Sequence, residues 1–207
     1  MGEARRRKQL DQNYGQGKNA IYIDTIFLNQ ALSDAYDVYH QAYPHLFTRK
    51  EWEKRLNRIN VSKLVPFLVE YGLQEHEVTG FPGLGSNKDI DVFVFRCVEF
   101  WPGAYVEPDV VNYGDQRCVI KMFDVDLVWP SVEQHIISNQ SFKKYQTIAM
   151  VCNDPAYDLI IKNGIRRKVF FMRYRLQGDK DRMTAPISWI NIIYPIGRSW
   201  GLEPHQL

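Results

Sequence analysis

The chain is 207 residues long, enough for one domain with a real core, and its 45% hydrophobic and 14% aromatic residues exclude a disordered chain. Lys plus Arg (26) almost balance Asp plus Glu (24), so the net charge of +2 gives no bulk argument for a nucleic-acid or lipid-surface partner. Three cysteines without a Cys-x-x-Cys pair indicate neither a zinc knuckle nor a disulfide framework, and no apolar run approaches the ~18 residues of a membrane span, so a soluble cytoplasmic protein is expected.

Residues 1–19 are polar, contain Gly15 and Gly17, and read as a flexible arm. Arg5, Arg6, Arg7 and Lys8 make it basic, a charge block suited to phosphate or RNA, or to plain solvation. Residues 20–207 read as one domain with a helical front (20–75) and a sheet region (76–207). From Asp24, the apolar residues Ile26, Phe27, Ala31, Leu32, Ala35, Tyr36, Tyr39 and Ala42 recur at helical spacing until Pro44 stops them. Thr48 and Glu51 form a capping box for a second helix ending near Ile59. Ser62 is the expected cap of a third, with Gly72 as its stop and Pro66 strained near its first turn.

The pattern then changes. Residues 79–87 form a glycine-rich loop, and residues 89–100 and 117–129 are long β-type runs, joined by a segment whose prolines and glycines disfavour a helix. Further strands are expected at 146–152, 168–176 and 187–194, and short helices after Pro130-Ser131 and after Asp154-Pro155. The expected fold class is α+β: a helical N-terminal third, then a mixed, largely antiparallel sheet with two short helices.

The two long strands each carry an Asp-x-Asp pair, Asp89 with Asp91 and Asp124 with Asp126. Alternation sends both acids of a pair to one face, where carboxylates among Val and Phe need a cation. If the strands pair antiparallel with Cys97 opposite Cys118, Asp91 stands opposite Asp124 and Asp89 opposite Asp126. Four acids at one end of one face would then hold one or two magnesium ions.

Gly85-Ser86, the strand Asp89-Ile90-Asp91-Val92 and the later strand Phe123-Asp124-Val125-Asp126 resemble the polymerase-β-type nucleotidyltransferase superfamily over residues ~83–129. The resemblance implies that Gly85 and Ser86 hold nucleotide phosphates and that Asp89 and Asp91 bind Mg2+. Asp124, with Asp126 as the substitute, would be the third acid that activates the attacking hydroxyl. Where that family has a short helix between Gly-Ser and Asp-x-Asp, this chain has only Asn87 and Lys88.

A non-enzymatic reading stands beside it. The arm would grip RNA or an acidic protein partner, and Tyr36, Tyr39, Tyr43 and Trp52 would form an interface. The aspartates would then be structural, paired with Lys88, Lys121 or the basic cluster Arg166-Arg167-Lys168. Pro108-Asp109 followed by Val119-Ile120-Lys121 echoes a nuclease motif, but Val119 occupies the glutamate position. Convergence of Asp89, Asp91 and one of Asp124 or Asp126 separates the enzyme from the scaffold.

Overall fold

A computed structural model describes residues 18–46, 48–51, 60–79, 84, 89–97, 109–125, 145–152, 169–173 and 189–203. Seven strands form one sheet: β1 (Lys18–Asp24), β2 (Asp89–Cys97), β3 (Val110–Tyr113), β4 (Gln116–Val125), β5 (Tyr145–Val151), β6 (Val169–Arg173) and β7 (Trp189–Asn191), in the order β3-β4-β2-β1-β5-β6-β7. Three helices are described in full, α1 (Thr25–Ala42), α2 (Val61–Thr79) and α3 (Ile193–Ser199), together with the first turn of another at 49–51.

The sheet is mixed, with helices beside it, but it is not largely antiparallel. Among the described residues only β3 runs antiparallel, against β4, and every other pairing is parallel. The hairpin of β3 and β4 explains the difference. Tyr113 pairs with Gln116 across a two-residue turn whose Gly114 sits at φ 53°, a left-handed conformation that glycine tolerates. The turn reverses the chain before β4 begins, so β4 enters the sheet parallel to β2.

β1 was not expected; it lies inside the segment read as arm and helix. It is the central strand, paired with β2 on one side and β5 on the other. Ala20, Ile21, Tyr22 and Ile23 are all buried, so the strand shows no polar alternation. Alternation along the strands divides the sheet into two faces. Ile21, Ile23, Ile90, Val92, Val94, Cys118, Ile120, Ala149 and Val151 join the helices in the main core. The other face is aromatic: Tyr22 stacks on Phe93 at 4.8 Å between ring centroids, and Phe123 lies 5.7 Å from Phe93 and 5.5 Å from Phe95.

α1 begins where expected, with Asp24 Oδ1 accepting from the Ile26 and Phe27 amides. The capping box is present: Thr48 N donates to Glu51 Oε2 at 2.8 Å and Glu51 N to Thr48 Oγ1 at 3.3 Å. The expected end of that helix near Ile59 lies outside the described residues. α2 is capped by Asn60 rather than Ser62, since Asn60 Oδ1 accepts from Lys63 N at 3.0 Å. It also runs through Gly72 instead of stopping there. Leu84 packs so closely that a Cβ on Gly72 would come within 2.7 Å of its Cδ1, so this glycine serves a close approach.

α3 replaces the end of an expected strand. Pro195 and Gly197 hide its helical signal, while its stop is clear: Gly201, at φ 81°, donates to Arg198 O and Leu202 N donates to Gly197 O, a Schellman arrangement. α3 packs against both α1 and α2. Tyr39 of α1 lies across it and donates its hydroxyl to Ile193 O at 3.2 Å. No helix among the described residues is long and apolar enough to cross a membrane.

A Cβ on Gly197 would stand 2.0 Å from the Tyr39 hydroxyl oxygen, which is buried and has nowhere to retreat. Gly197→Ala is therefore expected to cost about 1–3 kcal/mol by overpacking and to lower the melting temperature by several degrees. Thermal denaturation followed by circular dichroism checks it; an unchanged melting temperature would mean that α3 moves freely on α1.

Candidate functional site

The parallel pairing of β2 with β4 separates the acids that an antiparallel register would have gathered. Asp89 is level with Arg117 and Asp91 with Val119, whereas Asp124 is level with Arg96. Asp91 and Asp124 are thus five residues apart along the strands, about 16 Å at the usual rise per residue. The four-acid magnesium cluster is corrected accordingly: Asp89 and Asp91 belong to the amino end of the sheet, Asp124 to the carboxyl end. Asp126, Gly85, Ser86, Arg5, Arg6, Arg7 and Lys8 lie outside the described residues. Among the described residues no group of three or more His, Cys, Asp or Glu side chains is placed to share a metal.

At the amino end, Asp91 is 4% exposed on the aromatic face. Its Oδ2 accepts from the Tyr145 hydroxyl at 2.7 Å and its Oδ1 from Lys121 Nζ at 3.3 Å. The Lys121 ammonium also lies 5.3 Å from the centre of the Phe93 ring, a cation–π contact. Lys121 is level with Phe93, which brings its side chain to the acid's own face; an antiparallel register would have turned it away. Burial by itself pushes the Asp91 carboxyl up, but the Tyr145 hydroxyl and the Lys121 charge outweigh it, so the net direction is down. The same contact, added to burial, pushes the Tyr145 phenol up. Asp91 is a charged, satisfied part of the fold.

The carboxyl end is organised differently. Leaving β3 aside, the chain lays its parallel strands outward on one side of β1 (β2, then β4) and then on the other (β5, β6, β7). The order reverses between β1 and β5, and in open parallel sheets ligands bind outside the carboxyl ends of the strands at that reversal. Asp24 ends β1 there, level with Phe95 of β2, which in turn is level with Phe123 of β4. Asp124 is one residue beyond that level. Ile23 pairs with Val151, so Cys152 follows β5 at the level of Asp24. Thr25 Oγ1 donates to Phe95 O at 2.7 Å, tying the first turn of α1 to the end of β2.

Asp24 was read in the sequence only as the start of a helix. What could have singled it out is an acid at the junction of a short apolar run and an amphipathic helix, the place where a parallel strand hands over to its crossover. Cys118 and Cys152 are buried thiols, and burial raises the Cys118 pKa to about 11, which makes it an unreactive core residue. Comparison with protein-family models, with curated proteins and with solved structures finds no match to this chain.

The Asp91 pairing has a pH signature. Because its folded-state pKa lies below the unfolded value near ~3.9, the stabilisation is complete above that value and is lost as pH falls through the depressed folded value. Acid denaturation of Asp91→Asn is expected to show a shallower loss of stability below pH ~4 than the parent. Lys121→Met, which strands a buried carboxylate, is expected to cost about 1–2 kcal/mol; the half-exposed ammonium keeps this below the cost of breaking a fully buried pair. Adding Asp91→Asn to Lys121→Met should recover part of that loss; strict additivity in urea denaturation would show that the two side chains are not coupled.

Proposed function

We propose that this protein is a metal-dependent phosphoryl- or nucleotidyl-transfer enzyme acting on a nucleotide or nucleic-acid substrate at the carboxyl end of its sheet. The observation that supports the reading is the reversal of strand order between β1 and β5 with Asp24 at its lip. Asp124, the penultimate residue of β4, is an acid at the same end of the sheet on a second strand, and Asp126 follows two residues on in the sequence. Oxygen-rich acids are the ligands that magnesium prefers, and in-line transfer at phosphorus needs a metal to neutralise charge on the transferring group. Asp24 would serve such a metal while its Oδ1 caps α1, and the basic residues Arg5, Arg6, Arg7 and Lys8 would attract the phosphate backbone of a polymeric substrate.

The second reading is a binding or scaffolding protein for RNA or a protein partner. The separation of Asp89 and Asp91 from Asp124 and the burial of Asp91 against Lys121 favour it, because dispersed acids with structural partners are what a protein without chemistry would require.

A magnesium or manganese titration with thermal melting separates the two. A site filled to about 100 times its dissociation constant stabilises the fold by about 2.7 kcal/mol, a shift of several degrees. The parent is expected to show that shift and Asp91→Asn to keep it. Asp24→Asn, whose amide oxygen still caps α1, and Asp126→Asn are expected to lose it, together with any metal-dependent turnover of nucleotide or RNA. No shift in the parent, or a shift retained in both Asp24→Asn and Asp126→Asn, overturns the enzyme reading.

A further inference from the structure

β5 is apolar on both sides. Ile148, Ala149, Met150 and Val151 are each at most 2% exposed, with Ala149 and Val151 in the helix-side core and Ile148 and Met150 toward the aromatic face. A slip of one residue against β1 would exchange these two pairs of side chains, all of them apolar. Hydrophobic burial therefore selects the strand but not its register, the situation in which strands are prone to slip.

A polar contact at the start of β5 does discriminate. Lys18 pairs with Tyr145 and Asn19 with Thr147, so Gln146 is an extra residue in β5. Strict alternation back from Ala149 would turn Tyr145 toward the helices. The insertion turns it to the face of Ala20 and Tyr22 instead, and its ring meets Phe93 edge-on at 6.1 Å. From there its hydroxyl reaches over β1 to Asp91 on β2. The residue it crosses is Ala20, the register partner of Asp91, whose methyl group leaves the path open.

We propose that the Tyr145–Asp91 hydrogen bond is a one-way register lock: it holds Tyr145 opposite Lys18, so that β5 cannot slide as a whole to bring Met150 opposite Ile21 and carry Cys152 away from the level of Asp24. A buried polar pair suits this role because sliding β5 as a whole so that Met150 meets Ile21 carries Tyr145 past Lys18 and leaves the carboxylate and the phenol without each other. The opposite slip, which absorbs Gln146 and brings Ile148 to Ile21, keeps them together. A one-residue slip would move each residue of β5 by about 3.3 Å along the strand and reverse its face relative to β1. The effect on catalysis rests on the site proposed above, with Tyr145 and Asp91 as positioning residues; the effect on register does not.

The test is nuclear magnetic resonance on the isotope-labelled full chain. Cross-strand contacts between Ile21 and Ala149 report the native register, and contacts from Ile21 to Met150 report the slip that the lock opposes. Tyr145→Phe removes one oxygen atom, Asp91→Leu removes the acceptor, and Asp91→Asn keeps an acceptor oxygen for the phenol. Tyr145→Phe and Asp91→Leu are expected to show slipped contacts and to lose about tenfold of the amide protection in β5 relative to β2, the scale of one net hydrogen bond. Asp91→Asn is expected to keep the native contacts. Should one of the two deletions fail to fold, the other decides. Native contacts alone in a folded Tyr145→Phe or Asp91→Leu chain, with protection lost evenly across β2 and β5, overturn the lock. Because the contacts are read without any turnover, a slip in a protein that proves inactive would sink the enzyme reading and leave the lock standing.

Discussion

A central parallel strand covered on both faces can offer nothing but apolar side chains to either layer, and that constraint governs the molecule. β1 supplies Ile21 and Ile23 to the helices and Ala20 and Tyr22 to the aromatic face, all buried, and its hydrogen-bonding edges are used by β2 and β5. The helix layer follows from it. α1 leaves directly from Asp24 and folds back so that Phe27, Leu28, Ala31, Leu32 and Ala35 enter the same core as Ile21 and Ile23. α3 then packs against both α1 and α2, with Gly197 lying against Tyr39.

Such a core is stable in bulk and poorly specified in detail. Apolar groups of similar size exchange places at small cost, whereas a buried charge tolerates few arrangements. Asp91 supplies that intolerance. It draws on Lys121 from a neighbouring strand and on Tyr145 from beyond β1, so strands β4, β2 and β5 are held in one relation at the amino end of the sheet. At the carboxyl end Asp24 and Cys152 stand at one level, and Thr25 ties the first turn of α1 to the end of β2. The two acids do different work: buried Asp91 ties three strands together, and Asp24 at the strand end caps α1.

Much of the secondary structure was legible in the sequence because it is written in local terms. The three-four spacing from Ile26 to Ala42 and the reciprocal pair Thr48 and Glu51 specify their elements without distant contacts. The β-type runs behind β2, β4, β5 and β6 stood out for their length and branched or aromatic content. β1, β3 and α3 did not. β1 lacks alternation because it is covered on both faces, β3 is four residues long, and α3 carries Pro195 and Gly197 in seven residues. The end of α2 was misread for a related reason: Gly72 carries a stop signal locally and a packing role that only Leu84 reveals.

The candidate site shows the same boundary more sharply. The sequence by itself determined that Asp89 and Asp91 share a strand face, that Asp124 lies on another strand, and that buried acids of this kind need partners. It could not determine strand direction, since parity within one strand is unchanged whether its neighbour runs parallel or antiparallel. Direction was decided by the Gly114 turn, which places β3 antiparallel to β4 and lets β4 run parallel to β2. That one tertiary choice carried Asp124 about 16 Å from Asp91 and brought Lys121 to the acid, while the pairing of β5 with the other edge of β1 left Asp24 at the reversal of strand order. Side-chain alternation is local and can be read along the chain; which strands meet, and in which sense, is settled by chain reversals and by burial that no single segment contains.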